Sequence, residues 1–244
     1  DEFGELADSF NKVLDIIESS FESQKMFVSN VSHELRTPLT ILIGELDLTL
    51  LKDRTIDEYK ELLSSSRQDA QRLVELLNDL LDLAKASYDE SKISITDVRI
   101  DEVLLDARES ILQSNAHYTI NLQFDELMNR TEQITVKGNE YLLKIAFANL
   151  MENNCKFSEN NTSSVNILYL ENKIVLSFSD TGIGIPENEI DNIFNPFFRG
   201  KNKHYHDGNG IGLALVQKVA TLHKATIDVH SVVGEGTTFI LIFK

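Results

Sequence analysis

His33 is followed at once by Glu34 and, four residues on, by Thr37. On a helix turning 100° per residue, with Val31, Leu35, Leu39 and Leu42 as the buried stripe, His33 lies about two hundred degrees from Val31. It therefore points outward, with Thr37 one turn later on the same face. A neutral imidazole nitrogen is a competent nucleophile near neutral pH when a carboxylate takes or holds the proton on the other nitrogen, and Glu34 suits that role. Taken alone, an exposed His beside an exposed Glu is also ordinary solvated surface.

A second group of residues suits phosphate and metal chemistry. A helical pattern over 139–157 puts Asn149, Glu152, Asn153 and Lys156 on one face, beside an apolar face of Leu143, Ala146, Phe147, Leu150 and Phe157. Amide oxygens suit Mg2+ and an ammonium suits phosphate, although a solvated polar face has the same composition. The run Asp180-Thr-Gly-Ile-Gly-Ile-Pro186 follows a strand pattern. Its glycines, Gly182 and Gly184, permit close backbone approach, and a carboxylate at a strand end can accept a hydrogen bond from an adenine amino group. Gly210 and Gly212 open a further helix whose free N–H groups can bind phosphate.

The elements that must position these residues change character along the chain. Apolar positions at Leu6, Phe10, Val13, Ile17, Phe21, Phe27, Val31, Leu35, Leu39, Leu42 and Leu46 follow a repeat near 3.5 residues and predict one long helix. Ser20 and Gln24 weaken its seam, and Pro38 should kink it near Glu34. After the polar segment Asp53 to Asp57, with N-cap candidates Thr55 and Asp57, a second repeat runs through Leu62, Leu73, Leu76, Leu77, Leu80 and Leu83. The pair makes an antiparallel helical hairpin, and its wide apolar faces call for dimerisation into a four-helix bundle. The polar stretch Ser87 to Lys92 reads as a linker.

Beyond it, strand patterns at Tyr118 to Phe124, Gln133 to Val136, Val165 to Leu170, Ile174 to Phe178, Thr226 to Val229 and Thr238 to Phe243 alternate with helical patterns at 101–115, 139–157 and 210–223. The expectation is an α+β multidomain chain, the hairpin being followed by an α/β sandwich with a mostly antiparallel or mixed sheet.

Composition narrows the function. A formal net charge of -16 over 244 residues argues against nucleic-acid binding, which recruits Lys/Arg clusters. The single cysteine, Cys155, cannot form an internal disulfide and fits a reducing compartment. The longest apolar stretch, Pro38 to Leu51, is broken by Glu45 and Asp47, so no span or signal peptide is expected. The start at Asp1, without an initiator methionine, suggests a fragment of a longer protein.

The string Phe27-Val-Ser-Asn-Val-Ser-His-Glu-Leu-Arg-Thr-Pro-Leu39 closely resembles the phosphoacceptor box of sensor histidine kinases. Asn149-Leu-Met-Glu-Asn-Asn-Cys-Lys-Phe157 resembles that family's N box, Asp180 to Pro186 its G1 box, and Ile193-Phe-Asn-Pro-Phe-Phe-Arg199 its F box. Asp207-Gly-Asn-Gly-Ile-Gly-Leu-Ala-Leu215 resembles the G2 box and Gly234-Glu-Gly-Thr-Thr238 the last glycine box. Asn154 departs from the pattern, standing where the family usually has a small residue such as alanine. Residues Asp1 to Asn11 resemble the end of a HAMP signalling helix, which would deliver a rotation or register change to the bundle.

The resemblance implies a Bergerat-type ATP-binding fold and a division into a signalling helix at 1–22, a dimerisation and histidine phosphotransfer domain at 23–88, a linker at 89–92 and a catalytic domain at 93–244. It implies that His33 is phosphorylated from ATP, that Glu34 is the general base, and that Thr37 positions a water for dephosphorylating the partner. ATP and Mg2+ are the implied cofactors, with Asn149 and Asn153 as metal ligands and adenine read by Asp180. The other implied nucleotide contacts are Lys156, Phe157, Gly182, Gly184, Ile185, Phe197, Arg199, Gly208, Gly210, Ile211, Gly212, Leu213 and Thr237. A polar loop with Lys201, Lys203, His204 and His206 fits a lid over the phosphates.

Implied partners are a second copy of the chain and the receiver domain of a response regulator. The chain would be the cytoplasmic portion of an inner-membrane sensor protein, touching the membrane only through missing N-terminal segments. Two rivals are a gyrase-type kinase acting on serine and a scaffold that binds ATP without turnover. The complete acceptor box disfavours the first, and the acidic neighbour Glu34 with the glycine boxes disfavours the second. Other phosphate-binding signatures, Gly-x4-Gly-Lys-Ser/Thr and Gly-x-Gly-x-x-Gly, do not occur.

Overall fold

The computed structural model describes residues 2–87, 93–124, 134–170, 173–200 and 208–244. The expected linker at 89–92 and the loop residues Lys201, Lys203, His204 and His206 lie outside them. The chain divides into two compact units, Asp1–Leu77 and Asn78–Lys244.

Helix α1 runs from Glu2 to Leu50 and α2 from Ile56 to Ser87. α1 is unbroken at Pro38, since one lost backbone donor in a long helix bends or weakens it without ending it. The turn into α2 is a capping box. Glu58 N–H donates to Thr55 Oγ1 at 3.3 Å, and the Thr55 N–H donates back to Glu58 Oε2 at 2.8 Å. Arg54 donates to the Leu48 carbonyl at 3.1 Å, satisfying one orphan acceptor of the last turn of α1. Ser65 Oγ and Glu45 Oε2, 3.4 Å apart, join the two antiparallel helices. Val31, Leu35 and Leu42 of the expected stripe are half-buried, whereas Leu39 remains 47% exposed. Leu6, Phe10, Val13, Ile17 and Phe21 are exposed as well.

The second unit contains the last turns of α2, where Leu83 and Ala86 are buried and Asp82 Oδ1 accepts from the Tyr141 hydroxyl at 3.0 Å. After it come β1 (Thr96–Arg99), α3 (Ile100–Ser114), β2 (Thr119–Phe124), β3 (Thr135–Gly138), α4 (Glu140–Phe157), β4 (Thr162–Leu170) and β5 (Lys173–Ser179). The short α5 (Glu187–Ile190), α6 (Gly212–Leu222), β6 (Thr226–Val232) and β7 (Gly236–Phe243) complete it. Strands β2-β4-β5-β7-β6 form a five-stranded mixed sheet, parallel only between β2 and β4. β1 and β3 make a separate antiparallel pair.

The strands alternate because one face is covered. Val165, Ile167, Leu176, Phe178, Phe239, Leu241 and Phe243 are buried, while their sequence neighbours are only partly so. Helices α3, α4 and α6 supply the other half of the core through Leu104, Ala107, Phe147, Leu150, Met151, Leu215 and Val216. Phe147 packs against the rings of Phe178 and Phe243 at centroid separations of 5.8 and 6.5 Å. α4 starts at Asn139, whose side chain accepts from Leu142 N–H at 3.0 Å. The sheet was legible as mixed, and the six strand runs fall on β2 to β7.

Candidate active site

In the first unit, His33, Glu34 and Thr37 are all exposed on α1. Thr37 Oγ1 donates to the His33 carbonyl at 3.1 Å, so the two residues share a face one turn apart. An imidazole in this setting is accessible to a phosphoryl donor, and a carboxylate follows it directly on the helix.

In the second unit the expected nucleotide residues converge around the C-terminal half of α4. Asp180 leaves the end of β5 with its N–H donating to the Thr237 carbonyl at 2.9 Å. Its Oδ1 accepts from Gly182 N–H at 2.8 Å and from Thr237 N–H at 3.3 Å. Burial pushes the Asp180 carboxyl above its usual range, and those two N–H donors pull it partly back. The carboxylate is thus fixed by backbone on one oxygen, leaving the other available to a donor.

Close approach explains the glycines. A Cβ on Gly182 would stand 1.9 Å from the Phe157 carbonyl oxygen, so only glycine lets the loop after β5 touch the end of α4. A Cβ on Gly212, the first residue of α6, would stand 2.2 Å from Asn149 Oδ1. Asn149 Nδ2 donates to the Ile145 carbonyl at 3.0 Å, which fixes the amide with its oxygen toward that glycine. Oxygen is the donor atom that a hard cation takes, so Asn149 fits Mg2+; Asn153 lies one turn further on α4, half-buried. Lys156 Nζ would be 2.8 Å from a Cβ on Gly208, placing the ammonium against the glycine segment that precedes α6. Nζ also lies 5.9 Å above the centroid of the Phe157 ring.

The remaining expected residues are held by backbone. Phe197 has a left-handed φ of 66°, and its N–H donates to the Gly210 carbonyl at 2.8 Å, joining the F-box segment to the G2 segment. Ile211 is buried, Leu213 is half-buried and Arg199 is exposed. Ile185 N–H donates to Ser231 Oγ at 2.8 Å, and Ser231 Oγ donates to the Gly236 carbonyl at 3.0 Å and lies 2.8 Å from Thr237 Oγ1. The turn at Gly184 is also clamped from the turn between β6 and β7, Gly234 N–H donating to the Ile183 carbonyl at 2.9 Å. Ser231 therefore ties the G1 loop to the last glycine box. Sequence reasoning missed it because the expected strand stops at Val229, whereas β6 continues to Val232.

Among the described residues no group of three His, Cys, Asp or Glu side chains is arranged to hold a metal, and no helix is long and apolar enough to cross a membrane.

Residues 23–88 match the family described as the His Kinase A (phospho-acceptor) domain. Residues 138–244 match the family described as the histidine kinase-, DNA gyrase B-, and HSP90-like ATPase. The chain is 33% identical over 250 aligned residues to the signal transduction histidine-protein kinase ArlS of Staphylococcus aureus, covering all of this chain and 54% of that protein. It thus spans about half the length of the curated relatives it matches. Two solved structures share its fold. The Acinetobacter baumannii histidine kinase AdeS aligns with a TM-score of 0.64 at 22% identity over 87% of this chain and 97% of that one. The histidine kinase ThkA, solved in complex with the response regulator protein TrrA, aligns with a TM-score of 0.67 at 18% identity over 89% of this chain and 60% of that one. With the acceptor-domain and ATPase matches following one another along one sequence, the chain belongs to the sensor histidine kinase family.

Proposed function

We propose that this chain uses Mg–ATP to phosphorylate His33 and passes the phosphoryl group to an aspartate in the receiver domain of a response regulator. One observation carries the reading: the exposed His33, Glu34 and Thr37 face occurs in the same chain as a unit in which Asp180, Asn149, Lys156, Thr237 and Gly212 are drawn together around α4.

In this reading adenine donates its amino hydrogen to Asp180, and Lys156, Arg199 and the Gly208 to Gly212 segment neutralise the phosphates. Mg2+, held by Asn149 and Asn153, offsets phosphate charge when bound. One imidazole nitrogen of His33 attacks the γ-phosphorus, the bond to the β,γ-bridging oxygen breaks, and ADP departs. Glu34 holds the proton on the other nitrogen, keeping the attacking lone pair free. The phosphoryl group then passes from the imidazole to the carboxylate of the receiver domain. Thr37, freed from the His33 carbonyl, positions the water that dephosphorylates the regulator.

The domain division belongs to the same proposal: 1–22 as a signalling helix, 23–88 as the dimerisation and phosphotransfer domain, 89–92 as the linker and 93–244 as the ATP-binding domain. The exposed Leu39, Leu63, Val74 and Leu77 support burial against a second copy in a four-helix bundle. The ThkA complex with TrrA, a property of that pair, supports a response regulator as the acceptor. Placement as the cytoplasmic portion of an inner-membrane sensor follows the same family reading.

The test is incubation with γ-labelled ATP and Mg2+ of the native chain, His33→Gln and Asn153→Ala. Acid-labile, alkali-stable label on the native chain alone is the expected result. Label persisting in His33→Gln would remove His33 as acceptor and favour the serine-kinase alternative, whereas bound nucleotide with no label in any protein would favour a scaffold.

A further inference from the structure

α4 carries a polar side chain into the core at its end. Asn154 is fully buried, and its Nδ2 donates to Ser163 Oγ on β4 at 3.2 Å, while Oδ1 has no hydrogen-bonding partner among the described residues. One turn on, the buried Ser158 hydroxyl also lacks a partner among the described residues. The two belong to the same final turn, for Ser158 N–H donates to the Asn154 carbonyl at 3.0 Å. A buried polar oxygen without a partner carries a desolvation cost, and two of them one turn apart suit a single ordered water.

The position of this pair is what gives it a role. Ser158 pairs with Gly182 in an isolated antiparallel bridge, and Gly182 N–H is a donor to Asp180 Oδ1. A Cβ on Gly182 would stand 1.9 Å from the Phe157 carbonyl oxygen and 2.9 Å from Asp180 Oδ1, so the end of α4 backs directly onto that carboxylate. Oδ1 of Asp180 already takes two N–H donors, which leaves Oδ2 as the oxygen able to take further donors.

We propose that Asn154 and Ser158 are positioning residues for base recognition, holding between them one buried water that orients Asp180 toward a purine with a 6-amino group. Ser158 donates its hydroxyl hydrogen to the water, and the water donates one hydrogen to Asn154 Oδ1 and the other to Asp180 Oδ2. A second lone pair of Oδ2 then faces the base. A 6-amino purine supplies the missing hydrogen, whereas a 6-oxo purine presents lone pairs to a carboxylate that cannot turn away. The inference rests on the nucleotide reading above and names what sets base selectivity in that site.

The test uses the full chain as native protein, Asn154→Ala, Ser158→Ala and the double variant, titrated calorimetrically with non-hydrolysable ATP and with its inosine counterpart, alongside thermal unfolding. Each single variant should bind the ATP analogue about tenfold more weakly while affinity for the inosine analogue changes by less than about twofold. The double variant should lose no more than either single one, because the water is shared. Ser158→Ala removes one oxygen only and decides the matter if Asn154→Ala does not fold. An unchanged preference for ATP in the variants, with or without a shifted melting temperature, would assign Asn154 and Ser158 to packing alone and overturn the inference. Additive losses in the double variant would overturn the shared water. A native chain that binds neither analogue would bring down the nucleotide reading itself, and a native chain that prefers ATP equally with its variants would bring down this inference only.

Discussion

Asp180→Asn is the substitution that separates function from stability most sharply. In the folded chain burial raises the Asp180 carboxyl above its unfolded value, with Gly182 and Thr237 N–H groups opposing the shift. A carboxyl raised in the folded state binds more protons folded than unfolded. Its favourable contribution is therefore complete below the unfolded value and is lost as pH rises through the folded one. At neutral pH the ionised Asp180 thus costs stability, and a neutral amide of the same shape should raise the melting temperature and remove that loss. The effect on binding runs the other way. The amide oxygen can still accept from Gly182 and Thr237, which puts the amide nitrogen where the proposed function brings the adenine amino donor. A hydrogen bond to a charged acceptor is worth about 1.5–3 kcal/mol, so affinity for an ATP analogue should fall by roughly ten- to 150-fold. Calorimetric titration and thermal unfolding of the same preparation, between pH 4 and 8, read both effects. Binding within about twofold of native would refute the adenine role. A melting temperature that drops at neutral pH would refute the desolvation argument even if binding were lost.

Two further outcomes follow from the same contacts. His223 is buried, with Nδ1 2.7 Å from the Val219 carbonyl and Nε2 accepting from Asn139 N–H at 2.9 Å, and burial pushes its imidazole below the usual value despite the Val219 bond. The neutral ring is the folded form, so its contribution is complete above about pH 6.5 and is lost as pH falls below that; in urea unfolding, His223→Gln should flatten the decline between pH 7 and 5, and equal slopes in both proteins would reject the assignment. Ser231→Ala removes the hydroxyl joining Ile185, Gly236 and Thr237, so nucleotide affinity should weaken about fivefold, the value of one ordinary hydrogen bond, with the rate of label transfer at saturating ATP unchanged; a variant that binds as well as native would show that the G1 loop holds its place without this tie.

Elements with many residues and one covered face were readable from periodicity. The apolar repeat gave α1 and α2, and alternation gave the strands whose buried positions are Val165, Ile167, Leu176, Phe178, Phe239 and Leu241. β1 was not readable, because in four residues Val98 is its only buried side chain and no alternation can be established. α5, a single turn after Pro186, is too short to show a period. Pro38 lies inside α1 without ending it, since the rest of the long apolar repeat carries the helix past one missing donor. In the site, the boxes named the residues but not their partners. That Asp180 is shared between Gly182 and Thr237, or that Asn149 faces Gly212, depends on loops from distant positions meeting at α4.

The site also shows where local rules are broken. An aromatic residue at φ 66° is disfavoured by its own Cβ, and Phe197 keeps that conformation with its N–H bound to the Gly210 carbonyl. A carboxylate desolvated at Asp180, just after β5, and an amide oxygen at Asn154, buried near the end of α4 without a partner among the described residues, are costs of the same kind. The apolar core around Phe147, Phe178 and Leu215 has none of these features. Such costs persist where the surrounding structure over-determines them, and the glycines at 182 and 212 bring the backbone close enough to do so. Stabilising substitutions should accordingly cluster at the site itself, and those that relieve Asp180 or Asn154 should do so at the expense of nucleotide recognition.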